Sequence, residues 1–286
     1  MSGPRTERST MTAEMQDRTS APVGIITGAG SGIGAAVARQ LAAEGWRLVL
    51  TGRRPDALHS VADSIEATVV AGDVRSEAHA TALVDAAIET YGRLDGLVLN
   101  AGTTVAGRVD QTSPQQWRMV LDTNLTGPFL LCRAALGQLQ GSRGAIVAVA
   151  SIAATVAGPQ LAAYGVAKAG LLRLMQSIAV DFGPAGLRAN TVNPGWIRTE
   201  MADAEMEALV GTHGANVDQV YEVVARHVPA RRPGSAEEAA AAVTWLLSPQ
   251  ASYVNGAIVN VDGGGAVVDA GMVAFEELPP IDKLSS

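Results

Sequence analysis

The chain of 286 residues is 48% hydrophobic and only 17% charged, so it can bury a sizeable core and is far from a disordered composition. Its net charge of −7 argues against a nucleic-acid-binding surface. Cys132 is the single cysteine, which excludes an internal disulfide, fits a reducing compartment and, beside Leu130, Leu131 and Ala134, reads as a buried, inert thiol.

Residues 1–20 are polar, with Glu7, Glu14 and Asp17 where a signal peptide needs an apolar stretch, and are expected to form a flexible tail on a cytoplasmic protein. The first predicted strand, VGIITG (23–28), runs into TGAGSGIG. There Gly28, Gly32 and Gly34 have the spacing G-x-x-x-G-x-G, with Gly30 in addition. Glycine in a strand-to-helix turn permits unusual φ and close backbone approach to a phosphate. The following helix, predicted over 33–45, would offer free N–H groups and a positive dipole end to a pyrophosphate.

The second strand, RLVLTG (47–52), ends in Gly52-Arg53-Arg54. An acidic residue here would hold an adenosine ribose diol, whereas paired guanidinium donors suit a 2′-phosphate. Arg53 and Arg54 therefore favour NADP(H), with NAD(H) still possible. A third strand is predicted at 67–72, a helix at 77–92 and a fourth strand, GLVLNAG, at 96–102.

The fifth strand, AIVAVAS (145–151), ends on Ser151. The stretch from Tyr164 to Phe182 reads as a helix that places Tyr164 and Lys168, four residues apart, on one face. A phenol titrates too high for an effective base at neutral pH, and a neighbouring ammonium lowers its pKa. Tyr164 thus becomes a usable acid/base, and Ser151 could steady the substrate oxygen. A sixth strand follows at 187–195, then a helix-bearing, glycine-containing stretch at 200–232 expected to act as a substrate lid. The last strand is predicted at 257–263, and residues 265–286 read as a C-terminal tail.

Strand and helix alternate, and most strands are near-continuous apolar runs, as in strands covered on both faces. The expected fold is a single-domain, Rossmann-like, doubly wound parallel sheet of about seven strands, spanning residues 21–264. His59, His79, His213 and His227 lack ligand spacing, so no metal is expected. No apolar run is long enough to span a bilayer.

TGAGSGIG, NAG at 100–102, Asn124 in TNLTG, Ser151 with YGVAK, and NPGWIRTEM at 193–201 occur in one order at compatible spacings. Over residues 21–264 the chain resembles the short-chain dehydrogenase/reductase family. The resemblance implies that Tyr164 is the acid/base, Ser151 the oxyanion stabiliser, and Lys168 both ribose ligand and pKa modulator. Asn124 would hold a helix kink and a relay water. Gly28, Ser31, Gly32, Ile33 and Gly34 would surround the pyrophosphate and adjoining ribose, and Asp73 and Val74 would meet adenine. Asn100, Ala101 and Gly102 would line the ribose side, and Pro194, Gly195, Ile197 and Thr199 the nicotinamide. It further implies a small carbonyl or alcohol substrate and a homotetramer or homodimer. Specificity is expected in residues 152–162, in Trp196, which could stack on substrate or simply pack, and in the lid, from which Met201 or Met206 would reach the substrate.

Overall fold

Short runs of Val, Ile, Leu and Ala, apolar on both faces, pair side by side into one sheet. The computed structural model describes residues 21–213 and 216–269, so the expected N-terminal tail, Gly214 and residues 270–286 lie outside the described residues. The strands are β1 (Val23–Thr27), β2 (Arg47–Thr51), β3 (Thr68–Val69), β4 (Gly96–Leu99), β5 (Ala145–Val149), β6 (Arg188–Pro194) and β7 (Ile258–Val261). All pairs are parallel, in the order β3-β2-β1-β4-β5-β6-β7.

Helices cover both faces. The first five are α1 (Gly32–Ala43), α2 (Pro55–Ala62), α3 (Glu77–Tyr91), α4 (Pro114–Leu121) and α5 (Gly127–Ser142). They are followed by α6 (Ala162–Phe182), α7 (Glu200–His213), α8 (Val217–Val224) and α9 (Ala236–Leu247). On one face Leu83, Leu131, Leu171 and Met175 pack with Ile25, Leu97 and Ile146. On the other, Val37, Leu41, Val243 and Leu246 pack with Ile26, Leu50 and Val147. Each such side chain, taken fully from water, stabilises the fold by roughly 1.5–3 kcal/mol before entropy is subtracted.

The order reverses beside β1, which lies between β2 and β4. Chain leaving the carboxyl ends of β1 and β4 therefore diverges and opens a crevice, the place where such sheets bind ligands.

The strands are shorter than their apolar runs at that edge. β4 ends at Leu99 because the next two amides, of Asn100 and Ala101, turn to the Thr27 hydroxyl oxygen at 2.9 and 3.0 Å. β3, expected over 67–72, pairs only at Thr68–Val69. Beyond it come single rungs, from Val70 N to Leu50 O and from Gly72 N to Gly52 O. Gly72 has no side chain there because the His79 imidazole fills that space.

Within the 200–232 stretch, expected to bear helices, the chain forms α7 and α8. Met206, Val220 and Tyr221 are buried against one another. Met206, expected to reach substrate, is instead fully buried, whereas Met201 on the first turn of α7 is exposed. Among the described residues no helix is long and apolar enough to cross a membrane.

Candidate active site

The glycine turn is built for close contact. Gly28 has φ +65°, and a Cβ on it would stand 2.9 Å from the Ala101 Cα and from the Asn100 amide nitrogen. A Cβ on Gly34 would collide with the carbonyl oxygen of Gly28. Helix α1 can thus begin directly against the turn. No side chain caps its amino end and its first turn holds no acidic residue. Its free N–H groups suit an anion such as a pyrophosphate, so the turn fits a dinucleotide.

Thr27 and Asn100 hold this turn to the end of β4. The Asn100 amide nitrogen donates to the carbonyl oxygens of Thr27 at 3.0 Å and Gly28 at 3.1 Å. Its side-chain donors are therefore spent on the turn's own backbone. Ala101 lies against Gly28, and Gly102 lies against Asn124, whose Oδ1 would stand 2.8 Å from a Cβ added there.

Beside the glycine turn the exposed Arg54 donates to Ser31 Oγ at 2.9 Å and to Glu200 Oε2 at 3.0 Å. Arg53 is exposed beside it. Arg75 grips the Asp73 carboxylate through its guanidinium at 2.5 Å and through its backbone N–H at 3.0 Å. Arg75, with a smaller contribution from Arg53, holds the Asp73 carboxyl down at about 2. Val74 follows, its carbonyl oxygen against Gly127 at the start of α5. With Thr27, His79 and Ala101 it lines a small cavity. The His79 imidazole lies 2.8 Å from the buried Thr51 hydroxyl, and burial lowers its pKa. No motif in the sequence signals this place for His79.

The side chains expected to handle the proton lie near the ends of β4 and β5 and on α6. Lys168 is buried and donates from Nζ to the carbonyl oxygen of Val149 at 2.8 Å. The same nitrogen stands 5.6 Å from the centroid of the Tyr164 ring. Burial pushes the ammonium down to about 8. Ser151 begins a short 3-10 turn, Ile152–Ala154, and its Oγ accepts from Ala153 N at 3.1 Å. That contact leaves the hydroxyl proton to be donated. The turn can sit close to α6 because position 165 is glycine, where a Cβ would come 3.1 Å from the Ala153 carbonyl oxygen.

Asn124 lies in a π-helical turn, Asp122–Thr126, between α4 and α5. Its amide donates to the carbonyl oxygens of Thr103 at 2.7 Å and Val120 at 2.8 Å and accepts from Thr103 N at 3.1 Å. The side chain both fixes the kink and ties it to the loop after β4. Gly170 on α6 admits Leu125 from the same turn. The turn that carries Asn124 and the helix that carries Tyr164 and Lys168 are thereby packed together.

At the far end, Gly195 N donates to Val261 O at 3.0 Å and a Cβ there would strike Asp262. Pro194 is the last residue of β6, and Ile197 is buried and bridges to Gly234. The Thr199 methyl stands over Gly32, 3.1 Å from where a Cβ would be. Ile33 is half-buried on the first turn of α1. Trp196 is partly exposed. Arg198 bonds Asp218 at 2.7 Å and lies 5.2 Å from the Tyr221 ring, whose hydroxyl donates to Asp203 at 2.8 Å. This network ties the chain after β6 to both α7 and α8. Among the described residues no cluster of three His, Cys, Asp or Glu could hold a metal ion.

The family model described as Enoyl-(Acyl carrier protein) reductase matches residues 28–265. Protein MoaE of Klebsiella aerogenes is 41% identical over 269 residues, covering 89% of this chain and 99% of its own. The 2-(R)-hydroxypropyl-CoM dehydrogenase of Xanthobacter autotrophicus is 36% identical over 254 residues, covering 84% and 97%. Among solved structures, an actinorhodin polyketide ketoreductase variant with NADPH superposes at TM-score 0.83 with 31% identity, over 87% of this chain and 99% of that one.

These matches run through both the glycine turn and the Tyr164 helix, and they define the class: oxidoreductases acting on CH–OH groups with a nicotinamide cofactor. The chain belongs to the short-chain dehydrogenase/reductase family. It interconverts secondary alcohols and ketones.

Proposed function

We propose that the protein is an NADP(H)-preferring ketone reductase, and that residues 21–264 form its catalytic domain. The observation that carries this reading is Arg54 reaching Ser31 of the glycine turn with Arg53 beside it, where an NAD enzyme would carry a carboxylate. The name of the solved ketoreductase with NADPH supports it. The substrate is a small ketone of the 3-oxoacyl-thioester or secondary-metabolite type.

Tyr164 delivers the proton to the substrate oxygen, and the hydroxyl proton of Ser151 meets the charge that develops there. The Lys168 ammonium favours the tyrosinate once the proton has left. Asn124 positions the loop after β4, and its kink holds the relay water. Gly28, Ser31, Gly32, Ile33 and Gly34 would hold the pyrophosphate, and Arg53 and Arg54 the 2′-phosphate. Asp73 and Val74 would border the adenine. Ala101 and Gly102, steadied by Asn100, would line the ribose with Lys168, and Pro194, Gly195, Ile197 and Thr199 the nicotinamide. When bound, that ring supplies hydride to the carbonyl carbon.

A second reading, an NAD(H)-dependent alcohol, sugar or sterol dehydrogenase, draws on the Glu200 carboxylate that already engages Arg54. Steady-state turnover of a ketone and alcohol panel with each cofactor decides between them. A higher kcat/KM with NADPH than with NADH is expected, and the reverse ranking overturns the proposal. We place the enzyme in the cytoplasm as a homotetramer or homodimer, a state supported by exposed Trp117, Phe129 and Val166 on three neighbouring helices.

A further inference from the structure

Glu200 is the first residue of α7 and follows Thr199, whose methyl covers Gly32. One nitrogen of Arg54, Nη2, is shared between Glu200 Oε2 at 3.0 Å and Ser31 Oγ at 2.9 Å. That single nitrogen joins the loop after β2, the glycine turn and the lid helix. The side chains of Arg54 and Glu200 are 64% and 67% exposed, so the pair adds little stability. What it does is place a negative charge where a phosphate would be gripped.

We propose that Glu200 is a specificity-determining residue whose carboxylate competes with the cofactor 2′-phosphate for Arg54, weakening NADP(H) relative to NAD(H). The inference rests on the reading that Arg53 and Arg54 face the adenosine 2′ position. A 2′-phosphate gains most from a guanidinium that can offer both of its donor edges. Here it must share Arg54 with a carboxylate or displace that carboxylate, and each alternative costs binding. An uncharged ribose diol meets no such repulsion. A phosphate that displaces Glu200 breaks only this side-chain link, since Thr199 still rests over Gly32.

The test uses 2′,5′-ADP and 5′-AMP, which differ only in the 2′-phosphate, titrated calorimetrically into wild type and three variants. Glu200→Gln is expected to tighten 2′,5′-ADP by about three- to tenfold while leaving 5′-AMP within about twofold. Glu207→Gln, an exposed acid on the same helix, should leave both affinities unchanged. Arg53→Ala/Arg54→Ala should lower the preference for 2′,5′-ADP over 5′-AMP. If the arginine variant lowers that preference and Glu200→Gln leaves it as in wild type, the competition is overturned and the loop reading stands. If the arginine variant also leaves it unchanged, the loop reading itself is wrong and the inference falls with it.

Discussion

Lys168 buries its ammonium against the carbonyl oxygen of Val149, one helical turn from Tyr164 on α6, with 5.6 Å between Nζ and the centroid of that ring. A lysine in this position is withdrawn from bulk solvent, so it is both an electrostatic aid to a phenolate and a burden on the fold.

Replacing Tyr164 by Phe should therefore cut turnover by at least roughly 100-fold, the lower range of general acid–base contributions, while cofactor binding persists. The ring still packs, but no proton is available for the substrate oxygen. Near-wild-type kcat with the best substrate would remove Tyr164 from its role.

The burden can be measured separately. The Lys168 pKa of about 8 in the folded protein lies below the ordinary 10.5, so between those values the unfolded chain binds the extra proton. Burial of the charge thus costs stability fully below pH 8, and the cost declines as pH rises toward 10.5. Lys168→Met should be more stable than wild type near neutrality, by on the order of 1–3 kcal/mol, with the gap closing by pH 10. Urea midpoints at a series of pH values test this. The same variant should bind cofactor more weakly and turn over more slowly.

Cofactor preference should follow the loop after β2. Changing Arg53 and Arg54 together to Asp removes the two proposed phosphate ligands and adds carboxylates able to accept from a ribose diol. The ratio of kcat/KM for NADPH over NADH should fall by at least about tenfold. An unchanged ratio would show that these arginines serve the surface only.

Gly34→Ala tests the cradle. Its methyl would collide with the carbonyl oxygen of Gly28, which is backbone and cannot swing aside. The turn must open or α1 must shift, at a cost of about 1–3 kcal/mol. Cofactor Kd should rise by more than tenfold, and a variant with wild-type Kd and melting temperature would refute the close fit.

Met206, Val220 and Tyr221 form their own buried cluster, and the bond from Arg198 to Asp218 staples α8 to the chain after β6. A lid built this way should move as one body. Hydrogen exchange should show protection changing on cofactor and substrate binding at the first turn of α7, with the interior of the pair little altered. Equal, strong protection of the whole segment in both states would make it fixed scaffold.

What could be read from sequence was local. The glycine turn announces itself because only glycine meets its φ and contact demands, and Tyr164 with Lys168 because helical spacing puts them on one face. The sheet was legible because strands covered on both faces are written as unbroken apolar runs. Other features were not legible. Thr27 looks like any strand threonine, yet its hydroxyl oxygen accepts the two amides that end β4. Glu200 and Arg54 are 146 residues apart, and no pattern joins them. Met206 sits on a helix whose inward face depends on α8, and sequence alone does not distinguish an apolar residue that packs on that partner from one that, like Met201, stays exposed.

The strand order separates two sets of residues. Those proposed to choose the nucleotide lie in the first half of the chain, around β1 to β3, whereas those proposed to handle the proton follow β4. The two sets can therefore be changed separately, so substitutions that exchange cofactor preference should leave the proton-transfer residues untouched. Thr199 and Glu200 are where that independence ends, since they belong to the second half yet rest on the turn and loop of the first.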